Sequence, residues 1–200
     1  MAIVHDLNKI CDWLQANVCD KVQLKLPDDD NGGDGYAYEL VNPTAFPLFT
    51  PTKDHLPPAV KAPIPSLCLR LKEGQHTRDG NSMQLIINFC AWNPGIHTAD
   101  VFEPTDEKNT DVKSYNQRVT GAFRRSVDGW QDVFSFMDTA LRVLENAVYI
   151  ADMRLDVDSI KYGMTSDKDG LDEFYPYWLG WIELTVYGGN IRNQSTNVFL

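Results

Sequence analysis

The stretch YPYWLGWIELTVYGG, from Tyr175 to Gly189, alternates like a β-strand but carries apolar residues on both faces. Successive side chains of a strand point to opposite sides of a sheet. One face would hold Trp178, Gly180, Ile182, Leu184 and Val186. The other would hold Tyr177, Leu179, Trp181, Glu183, Thr185 and Tyr187. A solvated face rarely carries so much apolar surface, so we expect a helix or a neighbouring chain to cover it.

Two segments have the three- and four-residue spacing of amphipathic helices. The first runs from Ala2 to Val18. The second spans Gly129 to Ile150, with Asp128 as the expected N-cap and Asp132 near the positive end of the helix. Its predicted buried stripe contains Trp130, Val133, Phe134, Met137, Leu141, Leu144 and Val148.

The remaining regular patterns indicate strands. VQLKL, from Val22 to Leu26, predicts a short strand, and SLCLRLKEG and NSMQLIINFCAWN predict a hairpin around GQHTRDG. A strand from Val157 to Met164 precedes the last strand, with the turn-rich SDKDGLDEF between them. The order is helix, strand, hairpin, helix, hairpin. It predicts a single α+β domain over 1–200, with a mostly antiparallel sheet packed on one face by two helices.

Two long polar segments interrupt these elements, over 28–65 and 94–126. They are rich in Pro, Gly, Asp and Thr, and are longer than compact domains usually leave without regular structure. We expect loops or arms that are mobile in a free monomer and that contact neighbouring molecules on assembly.

The charge balance narrows the possible partners. The chain has 28 acidic and 18 basic residues, a formal charge of −10, which disfavours binding to nucleic acid phosphates or to anionic membranes. No apolar run approaches the roughly 20 residues of a membrane span. His5, Asp6 and Lys9 interrupt the opening stretch where a signal peptide needs an apolar core, so we expect the protein to remain where it is made.

The candidate metal and thiol sites favour ordinary structural roles. In DDDNGGDGYAYE, Asp28, Asp30, Gly33 and Glu39 match positions of a calcium loop, but Gly32 stands where a ligand belongs, so we favour an acidic surface turn. Asp152, Asp156 and Asp158 are more typical of a solvated strand edge than of a metal site. We predict no metal and no cofactor. The cysteines should be reduced and buried, with disulfides in a secreted product as the alternative: Cys11, Cys19, Cys68 and Cys90.

The sequence contains no recognisable catalytic motif. His5, His55, His76 and His97 are scattered, and no nucleophile turn, HExxH or phosphate-binding glycine loop is present. We therefore expect a protein that is not an enzyme. Arg124 and Arg125, beside Arg118, form the one basic cluster, for which a solvated turn is favoured over docking to an acidic partner.

DGWQDVFSFMDTALRVLENA, followed after a strand by FYPYWLGWIELTVYG, resembles the tail terminator or tail-completion proteins of tailed bacteriophages. In these proteins a helix that opens on Gly-Trp or Gly-Tyr precedes a tyrosine-rich last strand. The opening helix, IPSLCLRLKEG and SMQLIINFCAWN fall in the same order. The stretches Pro43 to Pro65 and Pro94 to Ser126 are longer than the usual connections of the family.

The resemblance implies a structural virion protein that caps the tail tube as a ring, usually of six copies, stops tube polymerisation and presents a surface to the neck. It implies the tail tube protein as partner, with tail sheath and neck or connector proteins as further candidates, and DNA only passing through the channel. Localisation would be the virion, and the host cytoplasm during assembly.

A head-to-tail ring interface would cover the second apolar face of the last strand, and its expected residues are Tyr177, Leu179, Trp181 and Tyr187. The expected tube or neck contacts are His76, Arg78, Arg124 and Arg125. Two alternatives stay open: another neck or head-closure protein of a phage-like particle, and a standalone binding module or enzyme of a host, which would be monomeric with a concave pocket.

Overall fold

The computed structural model describes residues 3–27, 39–77, 80–94, 103–104, 115–116, 129–165 and 176–189. These residues form two α-helices, α1 (Ile3–Asn17) and α2 (Trp130–Glu145), and two single-turn 3₁₀ helices, Cys19–Lys21 and Lys53–His55. The strands are β1 (Leu24–Lys25), β2 (Leu40–Val41), β3 (Thr44–Pro47), β4 (Ser66–His76), β5 (Gly80–Trp92), β6 (Glu103–Pro104), β7 (Tyr115–Asn116), β8 (Tyr149–Ile150), β9 (Met153–Met164) and β10 (Tyr177–Gly189).

Six strands form one sheet in the order β3-β4-β5-β10-β9-β8. The β3 strand runs parallel to β4, and every other neighbouring pair in this sheet is antiparallel. The β1–β2 and β6–β7 pairs form small separate sheets. The predicted α+β fold with a mostly antiparallel sheet is confirmed.

Both helices pack on the same face of the six-stranded sheet and share one core with it. The rings of Phe89 on β5 and Phe136 on α2 meet edge to face, with their centroids 5.0 Å apart. Gly180 on β10 lies directly under α2, where a Cβ atom would stand 2.3 Å from the Met137 sulfur. A glycine here therefore lets the helix approach the sheet closely. We call the opposite side of the sheet the outer face.

The structure corrects two predictions for α2: the residue at which the helix ends, and the set of residues that it buries. The helix stops at Glu145 rather than Ile150, because Tyr149 and Ile150 pair with β9 as strand β8. Its buried residues are Val133, Phe136, Met137, Ala140 and Leu144. The predicted stripe is therefore only partly correct: Trp130 and Val148 are exposed, and Phe134 and Leu141 are half-buried. Asp132 lies in the first turn as predicted, but the predicted N-cap Asp128 is wrong: the helix begins at Trp130, so Gly129 is the N-cap residue, and no side chain caps the helix.

Two strand predictions and one loop prediction also change. The first strand contains only Leu24 and Lys25, and β9 begins at Met153 rather than Val157. The segment 28–65, predicted as a loop or arm, contributes β3 to the main sheet, because its TAFP stretch pairs with the start of β4. Most of the predicted loop over 94–126 lies outside the described residues.

Two register shifts between neighbouring strands lie side by side across the sheet. The β4–β5 register shifts between Leu71 and Glu73, and the β9–β10 register shifts between Glu183 and Thr185. On β9, the Ser159 hydroxyl accepts a hydrogen bond from the Thr185 backbone N–H at 2.8 Å and donates to the Asp156 carbonyl at 2.6 Å. Bulges bend the strands that carry them, so the sheet curls along this row.

Candidate interaction surface

The β10 strand separates its two sets of side chains as the sequence predicts. On the inner face, Gly180, Ile182, Leu184 and Val186 are buried under the helices. On the outer face, Leu179 and Trp181 are half-buried, and Tyr177 and Tyr187 are exposed by 37% and 46%. The described residues therefore leave this outer apolar surface partly open.

Trp181 lies across the backbone of β9 at Gly163. A Cβ atom on Gly163 would stand 3.0 Å from the Trp181 ring, so the absence of a side chain there makes room for the indole. The indole N–H donates to the Met164 carbonyl at 3.1 Å. Because its polar atom is bonded within the sheet, the indole can offer a hydrogen-bonded, rigid and largely apolar surface to a partner.

The residues around Trp181 extend this apolar surface toward β5. Leu179 pairs with Cys90 and Trp181 pairs with Asn88, so their side chains are cross-strand neighbours on the outer face. We call Tyr177, Leu179, Trp181 and Cys90 the apolar patch. Burial raises the pKa of the Cys90 thiol to about 12, which keeps it neutral and suited to an apolar surface.

A row of polar contacts bounds the apolar patch along β10. The Lys72 ammonium lies 3.0 and 2.9 Å from the two carboxylate oxygens of Glu183, and the Gln84 amide donates to the same carboxylate at 2.6 Å. The Glu183 side chain keeps only 14% of its surface exposed. These bonds explain how a carboxylate is accommodated on an otherwise apolar strand face.

The four residues predicted as one interface fall into two places. Tyr177, Leu179 and Trp181 are consecutive on the outer face, whereas Tyr187 follows Trp181 by six residues, roughly 20 Å along the strand. The Tyr187 hydroxyl donates to Asp156 at 3.3 Å. Tyr187 also lines a polar depression of 520 Å³ at the β4–β5 hairpin end of the sheet. Tyr187 therefore belongs with the hairpin rather than with Trp181.

The predicted tube or neck contacts are described only in part. His76 is exposed at the end of β4, and its Nδ1 is hydrogen bonded to the Asn81 side chain at the start of β5. Arg78, Arg124 and Arg125 lie outside the described residues. The polar depression is lined by residues of the β4–β5 hairpin, of the end of β10, and of β8, β9 and the turn between them, namely Gln75, Thr77, Gly80, Asn81, Ser82, Tyr149, Asp152, Arg154, Tyr187 and Gly188.

A buried polar network that the sequence patterns did not reveal lies at the other end of β5. Asn93 is only 6% exposed, and its side chain accepts from Lys25 and donates to Asp132, each at 2.7 Å. The Trp178 indole donates to the Asn93 carbonyl at 2.9 Å. Asn93 thus connects β1, β5, β10 and α2. The one available signal was a polar residue directly after a long apolar strand.

The residues considered as metal ligands or disulfide partners are found in an ion pair or as free thiols. The Asp152 carboxylate pairs with Lys9, which lowers its pKa. Across the described ranges, no three His, Cys, Asp or Glu side chains come together in an arrangement that could hold a metal ion. Asp28 and Asp30 lie outside those ranges. All four cysteines are free thiols; Cys11, Cys19 and Cys68 are buried, as predicted, and Cys90 is half-buried.

Neither helix of the described chain has the length and apolar character needed to cross a membrane. Comparison of the sequence and structure with protein-family models, curated proteins and solved structures finds no match in any of the three.

Proposed function

We propose that the protein is a structural component of a tailed phage or phage-like particle and caps the end of the tail tube as a ring of identical copies. In this role it stops polymerisation of the tube and offers a surface to the neck. The sequence resemblance of the α2 and β10 segments supports the proposal. The observation that carries it is the apolar patch around Trp181, on a central strand of the sheet.

The composition of this patch suits a protein–protein interface. Interface cores are enriched in Tyr, Trp and Phe and depleted in charged residues, and Trp and Tyr often carry most of the binding energy. Here Tyr177, Leu179 and Trp181 form the centre, and the Lys72–Glu183 pair lies at the margin. A surface of this kind is stabilised when another molecule covers it, because apolar area is removed from water.

A second copy of the chain is the partner that a closed ring requires. In a ring, each subunit presents one surface to the preceding copy and a different surface to the next, which is a heterologous interface. The apolar patch occupies one side of the molecule and would provide one of these two surfaces. The net charge of −10 suits a ring through which DNA passes without being retained.

Native mass spectrometry, with the protein alone and with tail tubes assembled from the tube protein of the same particle, tests the proposal. We expect a ring of several copies on one end of each tube, and no further tube growth after it binds. A monomer that ignores tubes at all concentrations would contradict the proposal. A ring that binds isolated neck components but not tubes would instead favour a neck or head-closure role.

A further inference from the structure

We infer that the polar depression at the β4–β5 hairpin end of the sheet binds carbohydrate, with Tyr149 and Tyr187 as its stacking surfaces. The depression has a volume of 520 Å³, which lies within the range of small-molecule sites. Its lining residues lie outside the apolar patch. The inference is therefore independent of the proposed ring.

A row of directly paired residues crosses five strands and runs through the depression. The row takes one residue from each of β8, β9, β10, β5 and β4, in that order: Tyr149, Arg154, Tyr187, Ser82 and Gln75. All five line the depression. Directly paired residues project from the same face of a sheet. Leu155 and Val186, which follow and precede two members of the row, are buried in the core, so the row stands on the outer face.

The two tyrosines of this row present their rings on either side of Arg154. Tyr149 is 57% exposed and Tyr187 is 46% exposed. Because neighbouring strands lie about 4.8 Å apart, the backbones of the two tyrosines are roughly 10 Å apart. A sugar ring has apolar C–H groups on its faces and hydroxyl groups around its edge. Tyrosine suits such a ligand, since it offers an apolar ring for stacking and a hydroxyl for hydrogen bonding.

The hairpin holds further polar groups in fixed positions beside the tyrosines. Ser82 and Asn81 have a hydroxyl and an amide, which both donate and accept hydrogen bonds, as sugar hydroxyls do. The Asn81 side chain is hydrogen bonded to His76, and the Thr77 hydroxyl donates to the Gly80 carbonyl at 2.9 Å. Groups that are already ordered lose less conformational entropy when a ligand binds.

The charges around the depression balance, which favours an uncharged ligand. The lining contains one arginine and one aspartate, and the Asp152 carboxylate pairs with Lys9. Asp156 accepts a hydrogen bond from the Tyr187 hydroxyl. A site for nucleic acid would carry an excess of positive charge, and a site for an apolar ligand would be lined mainly by apolar side chains. A neutral ligand with many hydroxyl groups and apolar ring faces fits this lining, and carbohydrate has both properties.

A strained turn lies at the Tyr149 side of the depression. Strands β8 and β9 are joined by only two residues, Ala151 and Asp152. Ala151 has a φ angle of 53°, in the left-handed region that residues other than glycine rarely adopt. Strained backbone of this kind is found preferentially at binding and catalytic sites. The turn therefore supports a binding role for this end of the sheet.

Isothermal titration calorimetry with neutral oligosaccharides tests the inference. The probes are linear hexasaccharides of glucose, of mannose and of N-acetylglucosamine, each titrated into the full chain. We expect at least one of them to bind with a Kd of about 1 mM or tighter. Because the full chain is used, any part of it that fills the depression would prevent binding and overturn the inference.

Substitutions of exposed tyrosines test whether the sugar binds in the depression. Tyr149→Ala and Tyr187→Ala should each weaken binding at least about tenfold, since each removes a stacking ring. Tyr187→Phe keeps the ring and should weaken binding less than Tyr187→Ala does. Tyr162→Ala is the matched control, because Tyr162 is a comparably exposed tyrosine on β9 that does not line the depression. Circular dichroism checks that each variant is folded.

Several results would overturn the inference. One is the absence of binding for every hexasaccharide up to about 10 mM. Another is equal binding by the wild type and both alanine variants of the depression, or an equal loss with Tyr162→Ala. Binding of adenosine monophosphate without binding of any hexasaccharide would also overturn it and would assign the depression to an anionic ligand. The ring is tested separately, by native mass measurement with tail tubes.

Discussion

The carbonyl oxygen of Asn93 occupies the space where a side chain at Gly129 would begin. A Cβ atom built on Gly129 stands 2.2 Å from this oxygen and 2.7 Å from the Trp178 indole nitrogen. The same two groups are hydrogen bonded to each other at 2.9 Å. Close packing against this bond therefore explains why a glycine directly precedes Trp130 at the start of α2.

Gly129→Ala should destabilise the fold by about 1–3 kcal/mol, because the new methyl group must displace backbone at Asn93 or break the Trp178 bond. Chemical denaturation measures the change. Gly74→Ala is the matched control: its Cβ would lie 3.8 Å from the nearest backbone oxygen, in an exposed part of β4, and should cost little. Equal stability of the two variants would contradict this account.

Trp181→Glu should leave the monomer folded and prevent ring assembly. In the single chain the half-buried side chain still reaches solvent, whereas an unpaired carboxylate buried at an interface costs several kcal/mol. Native mass measurement detects the loss of the ring. Tyr177→Glu should act in the same way, and Val148→Glu, at a site 65% exposed directly before β8 and outside the apolar patch, should assemble normally. Unfolding of the Trp181 variant, with a monomeric wild type, would assign this residue to the core.

Phe136→Ala should cost about 3–5 kcal/mol, since it removes a fully buried ring that packs edge to face on Phe89. Phe134→Ala should reduce the free energy of unfolding by less than Phe136→Ala does, with a difference of at least about 1 kcal/mol, because Phe134 is only half-buried. Its ring packs on the exposed Trp130 ring, with the two centroids 5.5 Å apart. Urea titrations of the two variants compare them directly. A larger loss for Phe134 would mean that α2 presents a different side to the sheet.

Stability should fall at alkaline pH, in part because of Cys11. Burial raises the pKa of this thiol from 9.0 to about 12, with Asp12 and Cys68 adding smaller effects in the same direction. Between about pH 9 and pH 11 the unfolded chain loses the proton and the folded chain keeps it. The free energy of unfolding therefore decreases as the pH rises, by up to about 1.4 kcal/mol per pH unit.

Cys11→Ala lacks this contribution, so its stability should decrease less steeply over the same pH range. Urea titrations of the wild type and the variant, made at intervals from about pH 8 to pH 11, give the two slopes. Parallel slopes would show that the thiol does not titrate differently in the folded and unfolded chains.

Local patterns in the sequence were sufficient to predict the elements in which buried residues recur at a regular spacing. The spacing of Leu7, Ile10 and Leu14 places α1, and the alternation of Gly180, Ile182 and Leu184 places the buried face of β10. These predictions succeeded because a long amphipathic element needs only its own periodicity to show which side faces the core.

Other features depended on contacts between distant parts of the chain. The short β3 strand exists because β4 offers it an edge, and α2 ends at Glu145 because Tyr149 and Ile150 have partners on β9. Likewise, the Asn93 network joins β1 to α2 and β10 through side chains far apart in sequence. The tertiary structure decided these features because a short strand or a buried amide is stable only where another segment completes its hydrogen bonds.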